Sequence, residues 1–176
     1  MMASGNGTNF ENIAKKLKNN VEIRLFTENK NAQVIQRAKK LQVKTHIIDF
    51  KSYSRDEFNY NLYNYLKNET PDLVVLAGYM KILPPQVVGS FKIVNIHPSL
   101  LPAFPGINSI KKAFNYGVKI TGVTIHWVDE GLDTGQIIEQ KSFRINKNDS
   151  LEKIEIKIHE IEHEIYPNVL KELLDI

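Results

Sequence analysis

The apolar positions of the chain fall into short runs separated by amphipathic segments. Runs rich in Val, Ile and Leu have the length and spacing of strands at residues 21–27, 45–50, 73–78, 92–97, 122–128 and 136–145. Apolar residues at helical spacing occupy residues 10–18, 32–41, 55–67 and, more weakly, 85–91. Strands that alternate with helices predict βαβ units in a mostly parallel sheet with right-handed crossovers.

Two segments refine this architecture. Residues 73–78 are apolar at every position, as expected of a central strand covered on both faces. Residues 148–174 begin with a capping signal, Asp149 followed by Glu152, and predict a long amphipathic helix packed on the sheet. We therefore expect an open, twisted α/β sheet of about seven strands with helices on both faces. The length of 176 residues suits a single domain, 1–176.

Composition narrows the function classes. The net charge is only +3, and the basic residues are scattered in pairs, so nucleic acid is not an expected partner. The absence of cysteine excludes a disulfide framework, a cysteine-based zinc site and a thiol nucleophile. The longest apolar run, "LVVLAGYM", is far too short to span a membrane, and no signal segment opens the chain. We expect a cytoplasmic protein.

The opening stretch "MMASGNGTNFENI" is a glycine-rich turn before a helix. Gly5 and Gly7 permit the turn, and Thr8 or Asn9 is expected to cap the helix, whose N-terminal N–H groups suit an anion such as phosphate. A plain turn is an equally good interpretation of so short a motif. Such a loop normally follows a central first strand, yet only residues 1–3 precede it. We therefore expect a truncated first strand.

The run ending "VNIH" places Asn95 and His97 on the same face of a strand, at its carboxyl end. Open α/β sheets bind their ligands at that end, although for the pair taken alone a strand end capped by hydrogen bonds is the better explanation. A second turn-rich loop, "DEGLDTG", supplies a carboxylate, Asp133. Amide, imidazole and carboxylate together can stabilise an oxyanion and move a proton without a metal.

These stretches resemble a known family. "VNIHPSLLP", "GLDTG" and "SGNGTNFENI" are similar to the glycinamide ribonucleotide formyltransferases, also called phosphoribosylglycinamide formyltransferases, of purine biosynthesis, and the resemblance covers nearly the whole chain. It implies a Rossmann-like formyltransferase fold and transfer of a formyl group from 10-formyltetrahydrofolate to the amine of glycinamide ribonucleotide. It further implies small-molecule partners, no metal, and a monomer or homodimer.

The resemblance also implies roles for the catalytic residues. Asn95 and His97 would donate hydrogen bonds to the formyl oxygen, and Asp133 would keep His97 charged and help remove the amine proton. His97 would give a proton to the leaving side, in a direct transfer without a covalent enzyme intermediate. Thr124 matches a supporting hydroxyl, and His126 is expected to be structural.

Substrate contacts follow from the same resemblance. Gly7, Thr8 and Asn9 match a phosphate-binding loop, and Glu162 matches a carboxylate that contacts the ribose. His159, one turn before Glu162, is expected either to reach the phosphate or to be solvated. Lys81 stands where an arginine is common. The residues that match folate contacts are Arg55, Met80, Lys81, Ile82, Leu83, Asn95, Asp129, Glu130, Gly131 and Leu132.

Three other functions remain open at this point. A methionyl-tRNA formyltransferase shares "NIHPSLLP" but carries a further carboxyl-terminal tRNA-binding domain, which we do not expect in a sequence that ends at Ile176. A formyltetrahydrofolate hydrolase shares the catalytic residues but carries an additional amino-terminal regulatory domain, which we also do not expect. The third is a non-catalytic folate- or nucleotide-binding module, which the short first strand keeps open.

Overall fold

The computed structural model describes residues 1–176. The elements in chain order are α1 (Thr8–Leu17), β1 (Arg24–Thr27), α2 (Val34–Lys40), β2 (Lys44–Ile47), a 3₁₀ turn (Phe50–Ser52), α3 (Arg55–Glu69), β3 (Val74–Leu76), α4 (Pro85–Ser90), β4 (Ile93–His97), α5 (Ser109–Tyr116), β5 (Ile120–Trp127), β6 (Ile137–Arg144) and α6 (Leu151–Leu173). The chain divides into two compact units, Met1–Ile93 with Ile176, and Val94–Asp175. The single domain expected from the sequence stays a prediction.

The first unit is built on parallel strands. β1 pairs with β2 in parallel, and Met2 forms parallel bridges to both Phe26 and Leu76, so this residue lies between β1 and β3. The Met2 amide donates to Val75, and its carbonyl accepts from Ala77. Met2 is completely buried. The truncated first strand expected from the sequence is therefore present as a single bridging residue, in addition to the six strands whose ranges are given above.

The second unit is antiparallel. β4 pairs with β5, and β5 pairs with β6, both antiparallel. The expectation of a mostly parallel sheet therefore holds for the first unit and fails for the second. The reason is local for β5 and β6, because the short segment that joins them closes a hairpin and leaves no room for a crossover.

The long carboxyl-terminal helix α6 buries one stripe of side chains in the second unit. Ile154, Ile158, Ile161 and Ile165 recur at helical spacing and are at most 8% exposed. The hydroxyl of Tyr166 donates to the carbonyl of Val94 at 3.2 Å, which ties the helix to the start of β4. The predicted amphipathic helix is confirmed.

Two helix caps and one further helix correct the sequence interpretation. α6 is capped by Ser150, whose hydroxyl accepts from the amide of Lys153, and not by Asp149. α1 has Gly7 as its N-cap, so neither Thr8 nor Asn9 caps it. Helix α5 was not predicted. No helix in the chain combines the length and the apolar character that a membrane crossing requires.

Candidate active site

The paired strands β4 and β5 place four polar side chains on one face of the sheet in the second unit, at the end of β4. Asn95 lies directly opposite His126 on β5, and His97 lies opposite Thr124. Residues that face each other across antiparallel strands project to the same side, so the amide, two imidazoles and a hydroxyl share that side. A β-bulge between Ile125 and His126 interrupts the pairing with β6 at this point. Bulges commonly re-aim side chains next to functional sites.

The loop between β5 and β6 brings Asp133 to this face. The loop is closed by a hydrogen bond from the Trp127 amide to the Gln136 carbonyl, 2.9 Å. A side chain at Gly135 would lie 1.8 Å from the Trp127 carbonyl, so this tight closure requires glycine. Asp133 itself has φ of 56°, a left-handed conformation that aspartate tolerates better than most residues.

The two carboxylate oxygens of Asp133 have different surroundings. Oδ2 accepts from the Gly106 amide at 2.7 Å and lies 3.3 Å from Nδ1 of His97. Oδ1 has only long contacts, 3.5 Å to Nδ2 of Asn95 and 3.6 Å to Nε2 of His126. Contacts of that length are at or beyond the limit of a hydrogen bond, so Oδ1 is the oxygen available to a substrate proton.

Both ring nitrogens of His97 face oxygens that can only accept. Nδ1 faces the Asp133 carboxylate, and Nε2 donates to the carbonyl of Phe104 at 2.9 Å. A neutral imidazole carries one N–H, whereas this arrangement offers acceptors for two. The geometry therefore suits the imidazolium form that the sequence interpretation requires. It also shows that in this state Nε2–H is engaged by the protein.

His126 is closer to the catalytic set than the sequence suggested. Its Nδ1–H donates to the Trp127 carbonyl at 2.8 Å, which leaves Nε2 directed at Asn95, 3.2 Å away, and at Asp133. Without a proton on Nε2, this nitrogen accepts from the Asn95 amide. With a proton, it donates towards Asp133. His126 thus orients one or the other partner according to its charge.

The pKa of Asp133 is held below its ordinary value by these neighbours. Burial of the carboxyl works to raise the pKa, but the nearby His126 ring, the hydrogen bond from the Gly106 amide and the charge of His97 together outweigh that effect. Asp133 is therefore ionised throughout the neutral pH range and available as a proton acceptor.

The Thr124 hydroxyl forms no hydrogen bond with the three predicted catalytic residues, although Thr124 lies opposite His97 in the strand pairing. Its hydroxyl donates to the Ser99 carbonyl at 2.7 Å and accepts from the Leu101 amide at 3.0 Å and from Nε2 of Gln140 at 2.9 Å. Ser99 and Leu101 follow His97 along the chain, and Gln140 lies on β6. Thr124 therefore holds the segment after β4 in place, a supporting role exerted through the backbone.

In the first unit, residues 4–7, here called the glycine-rich loop, lead directly into α1. Gly7 has φ of 78°, and Thr8 and Asn9 form the first turn of the helix. Ser4 connects this loop to the predicted folate segment, because its hydroxyl accepts from the Met80 amide at 2.8 Å. The predicted phosphate loop and the predicted folate segment are therefore neighbours within this unit.

The folate segment, residues 80–83, exposes apolar side chains. Met80 is 64% exposed and Ile82 72% exposed, whereas Leu83 is buried. The ammonium group of Lys81 lies 4.1 Å from the centre of the Phe50 ring, a cation–π contact. Arg55 is exposed at the first position of α3, after a complete capping box formed by Ser54 and Glu57. Exposed apolar groups beside a cation suit an aromatic ligand with an acidic tail.

The remaining site residues predicted from the sequence are Glu162 and those of the loop before Asp133. Glu162 is 4% exposed and pairs with His159, whose Nδ1 lies 2.9 Å from its carboxylate. The hydrogen bond that His159 donates to Glu162 raises the pKa of His159 against the opposing effect of burial. In the loop, the carboxylate of Asp129 accepts from the Gly131 amide and the Thr134 hydroxyl, while Glu130 and Leu132 are exposed.

The sequence interpretation did not identify two backbone groups of this site. The Gly106 amide and the Phe104 carbonyl each form a hydrogen bond with a predicted catalytic side chain, and both residues have positive φ. The proline- and glycine-rich stretch after His97 signalled a turn, but it gave no indication of which backbone groups point inward. No group of three or more His, Cys, Asp or Glu side chains is arranged to hold a metal ion.

Known proteins share this sequence and fold. A family model described as Formyl transferase matches residues 1–170. The phosphoribosylglycinamide formyltransferase of Bacillus subtilis (strain 168) is 43% identical over 181 residues, which cover 99% of this chain and 93% of the relative. The crystal structure of phosphoribosylglycinamide formyltransferase from Streptococcus pneumoniae TIGR4 superposes with a TM-score of 0.92 at 43% identity, covering 98% of this chain and 96% of that one. Glycinamide ribonucleotide transformylase 1 from Geobacillus kaustophilus gives a TM-score of 0.93 at 42% identity, with the same coverage. The predicted α/β fold is confirmed.

Proposed function

The chain belongs to the formyl transferase family, and we propose that it transfers the formyl group of 10-formyltetrahydrofolate to the amine of glycinamide ribonucleotide, a step in purine biosynthesis. The observation that carries the proposal is the position of Asp133, with one oxygen on the His97 imidazole and the other open beside the Asn95 amide. This is the donor and acceptor set that formyl transfer to an amine requires.

The reaction exchanges one carbon–nitrogen bond for another. The amine of glycinamide ribonucleotide attacks the formyl carbon, and its nitrogen forms a bond to that carbon. The bond between the formyl carbon and N10 of the folate breaks. One proton leaves the amine and one is gained by N10, so the chain must stabilise a transient negative charge on the formyl oxygen and move protons.

Two donors serve the formyl oxygen in this proposal. The Asn95 amide has one N–H towards His126 at 3.2 Å and one in a weak contact with Asp133 at 3.5 Å, so the second can turn to the substrate. When the substrate binds, the Nε2–H of His97 releases the Phe104 carbonyl and donates a hydrogen bond to the formyl oxygen instead. Each such donor in a water-excluded site contributes a substantial part of the rate.

Asp133 and His97 divide the proton transfers. Oδ1 of Asp133, the oxygen with only long protein contacts, accepts the proton of the attacking amine. His97 gives a proton to the departing nitrogen. Exchange with water then removes the proton from Asp133 and reprotonates Nε2 of His97, while Nδ1–H continues to face Asp133 Oδ2 at 3.3 Å, which restores the starting state.

For the ribonucleotide we propose the contacts that the family resemblance implies. Gly7, Thr8 and Asn9 present backbone N–H groups at the start of α1 to the phosphate, supported by the positive end of the helix. Glu162 accepts from the ribose hydroxyls. Its pairing with His159 at 2.9 Å fixes the carboxylate in one orientation.

For the formyl folate we propose a mainly apolar contact. The exposed side chains of Met80 and Ile82 and the backbone of residues 80–83 bind the pterin region, with Leu83 as a buried support. Arg55 and Lys81 contribute positive charge. In the second unit, Asp129, Glu130, Gly131 and Leu132 offer backbone groups and one exposed apolar side chain, Leu132, 59% exposed.

The two substrates are the partners that this function requires. The sequence expectations of a cytoplasmic location, of a monomer or homodimer, of no membrane or nucleic-acid partner and of a single domain stay predictions.

Transfer of a labelled formyl group tests the proposal. The chain is incubated with 10-formyltetrahydrofolate labelled in the formyl carbon and with glycinamide ribonucleotide, and the products are separated by chromatography. We expect the label in formylglycinamide ribonucleotide, in equal amount to the tetrahydrofolate formed. Label released as formate would indicate a hydrolase, and folate binding without turnover would indicate a binding module. Either result would refute the proposal.

A further inference from the structure

Helix α2 holds the glycine-rich loop from one side. The amide of Val34 donates to the Gly5 carbonyl at 3.1 Å. Gly7 lies so close to Val34 that a β-carbon at position 7 would be 2.3 Å from the valine methyl group. The first turn of α2 is therefore packed directly on the loop, and the next residue on the same face, three positions later, is Arg37.

Arg37 grips Asn6, the residue between the two glycines, with two nitrogens. Its Nε donates to the Asn6 carbonyl at 2.7 Å, and its Nη2 donates to the Asn6 side-chain oxygen, also at 2.7 Å. Backbone and side chain of Asn6 are thus fixed by one planar group. Only a guanidinium supplies parallel donors in this fork geometry.

The remaining nitrogen of the Arg37 guanidinium contacts α1. Its Nη1 forms an ion pair with Glu11, which lies in the first turn of that helix. Lys15 pairs with the other oxygen of the same carboxylate at 2.7 Å. The hydrogen bond from Lys15, opposed by burial and aided by Arg37, lowers the pKa of Glu11, so the carboxylate carries a full negative charge.

A charge at Glu11 matters because of where it stands. The first turn of α1 is the turn whose N–H groups we propose to bind the phosphate, and a bare carboxylate there would repel that anion. Arg37 offsets this charge while it fixes the preceding turn. Lys15 also offsets the charge of Glu11, but it does not fix the loop, because none of its hydrogen bonds or ion pairs involves the loop.

We propose that Arg37 is a positioning residue of the ribonucleotide site: it fixes the Asn6–Gly7 turn and neutralises Glu11, so that the loop binds the substrate phosphate. This inference rests on the proposed function. It predicts that Arg37 controls the affinity for the ribonucleotide and leaves the chemical step unchanged.

Steady-state kinetics of Arg37→Ala test it. We expect KM for glycinamide ribonucleotide to rise about 10- to 100-fold, the range for loss of charge-assisted hydrogen bonds. Both kcat at saturating ribonucleotide and KM for the formyl donor should stay within about twofold, since no contact of Arg37 reaches the catalytic residues. Lys15→Ala, the matched control, removes a cation from Glu11 without touching the loop and should change KM less than about threefold.

Two further variants separate geometry from charge. Arg37→Lys keeps the positive charge but loses the two parallel donors of the guanidinium. We therefore expect its KM for the ribonucleotide, on a logarithmic scale, to lie nearer to that of Arg37→Ala than to that of the wild type. Glu11→Gln in the Arg37→Ala background removes the repulsion between the Glu11 carboxylate and the substrate phosphate. It should therefore restore part of the lost affinity for the ribonucleotide. For the substrate without its phosphate, glycinamide ribonucleoside, Arg37→Ala should leave binding in calorimetry unchanged.

Three results would overturn the inference. The first is an unchanged KM for the ribonucleotide in Arg37→Ala. The second is a loss of affinity in Arg37→Ala that is equal for the substrates with and without phosphate. The third is a rise of KM for both substrates together with a fall in thermal stability, in Arg37→Ala and Arg37→Lys alike. A wild-type chain without transfer activity would instead refute the proposed function itself.

Discussion

The cluster around Asp133 and the glycine-rich loop handle their ligands with different parts of the chain. Around Asp133, the working groups are side chains that are largely buried and in contact with one another. In the glycine-rich loop, the working groups are backbone amides, and side chains such as Arg37 and Val34 act only by holding the backbone. In the proposed function, the first region governs the chemical step and the second governs the binding of the ribonucleotide.

This difference explains how each region should respond to substitution. A side chain in the cluster acts in the transition state, so its loss lowers kcat. A change in the loop disturbs a contact that is present before and during the reaction, so it raises KM and leaves kcat nearly unchanged.

Asp133→Asn should have the largest effect. The amide keeps the shape of the carboxylate but accepts no proton and no longer stabilises the charge of His97. We expect kcat for formyl transfer to fall about 10³-fold, within the range for general acid–base groups. Steady-state kinetics measure this, and binding of both substrates in calorimetry serves as the control. A kcat within tenfold of the wild type would contradict the role of Asp133.

Asn95→Ala should lower kcat about 10²-fold, because one donor to the formyl oxygen is lost. The variant also removes the partner of His126 Nε2, which then faces Asp133 alone. The ratio of kcat values at saturating substrates gives the size of the effect. An effect on KM alone would indicate that Asn95 belongs with the binding residues and not with the catalytic cluster.

Gly7→Ala should raise KM for the ribonucleotide about tenfold with little change in kcat. The new methyl group meets the Val34 side chain at 2.3 Å, and the residue would need a positive φ that alanine disfavours. Gly5→Ala is the matched control, because a β-carbon there meets nothing within 4 Å. Equal KM values for the two variants would show that the backbone of Gly7 does not determine affinity.

The stability of the protein should depend on pH through Asp133, with a smaller effect. Its pKa in the folded state is lowered, so the folded state binds this proton less readily than the unfolded chain. The stabilisation is complete above the ordinary value of 3.8 and is lost as the pH falls through the lower folded pKa. Urea unfolding of wild type and Asp133→Asn measures this: the stability difference between them should change below about pH 4. A difference independent of pH would contradict it.

The sequence predicted the strands well, since each depends on a local apolar run. β4 was placed to within one residue, and β6 to within one residue at each end. Helix α5 was missed because its eight residues follow an irregular proline- and glycine-rich stretch that masks their short amphipathic pattern. The N-caps Gly7 and Ser150 lay one or two positions from the predicted caps, because neighbouring polar residues are equally good candidates in sequence alone.

The site residues could be named from the sequence, but most of their contacts could not. The shared face of Asn95 and His97 follows from the alternation of a strand. The contacts of Asp133 with Gly106 and of Arg37 with Asn6 join residues 27 and 31 positions apart, in loops whose backbone conformation no local pattern specifies. The role of His126 depends on its register with Asn95, which only the antiparallel pairing of β4 and β5 determines.

The rate of a single turnover in His97→Ala tests the central claim most directly. Enzyme in excess over labelled 10-formyltetrahydrofolate, at saturating glycinamide ribonucleotide, reports the chemical step without product release. Because His97 donates to the formyl oxygen and supplies the departing nitrogen with its proton, we expect a rate about 10²- to 10⁴-fold below the wild type, with both substrates still bound in calorimetry. Formyl transfer at the full wild-type rate would contradict the account.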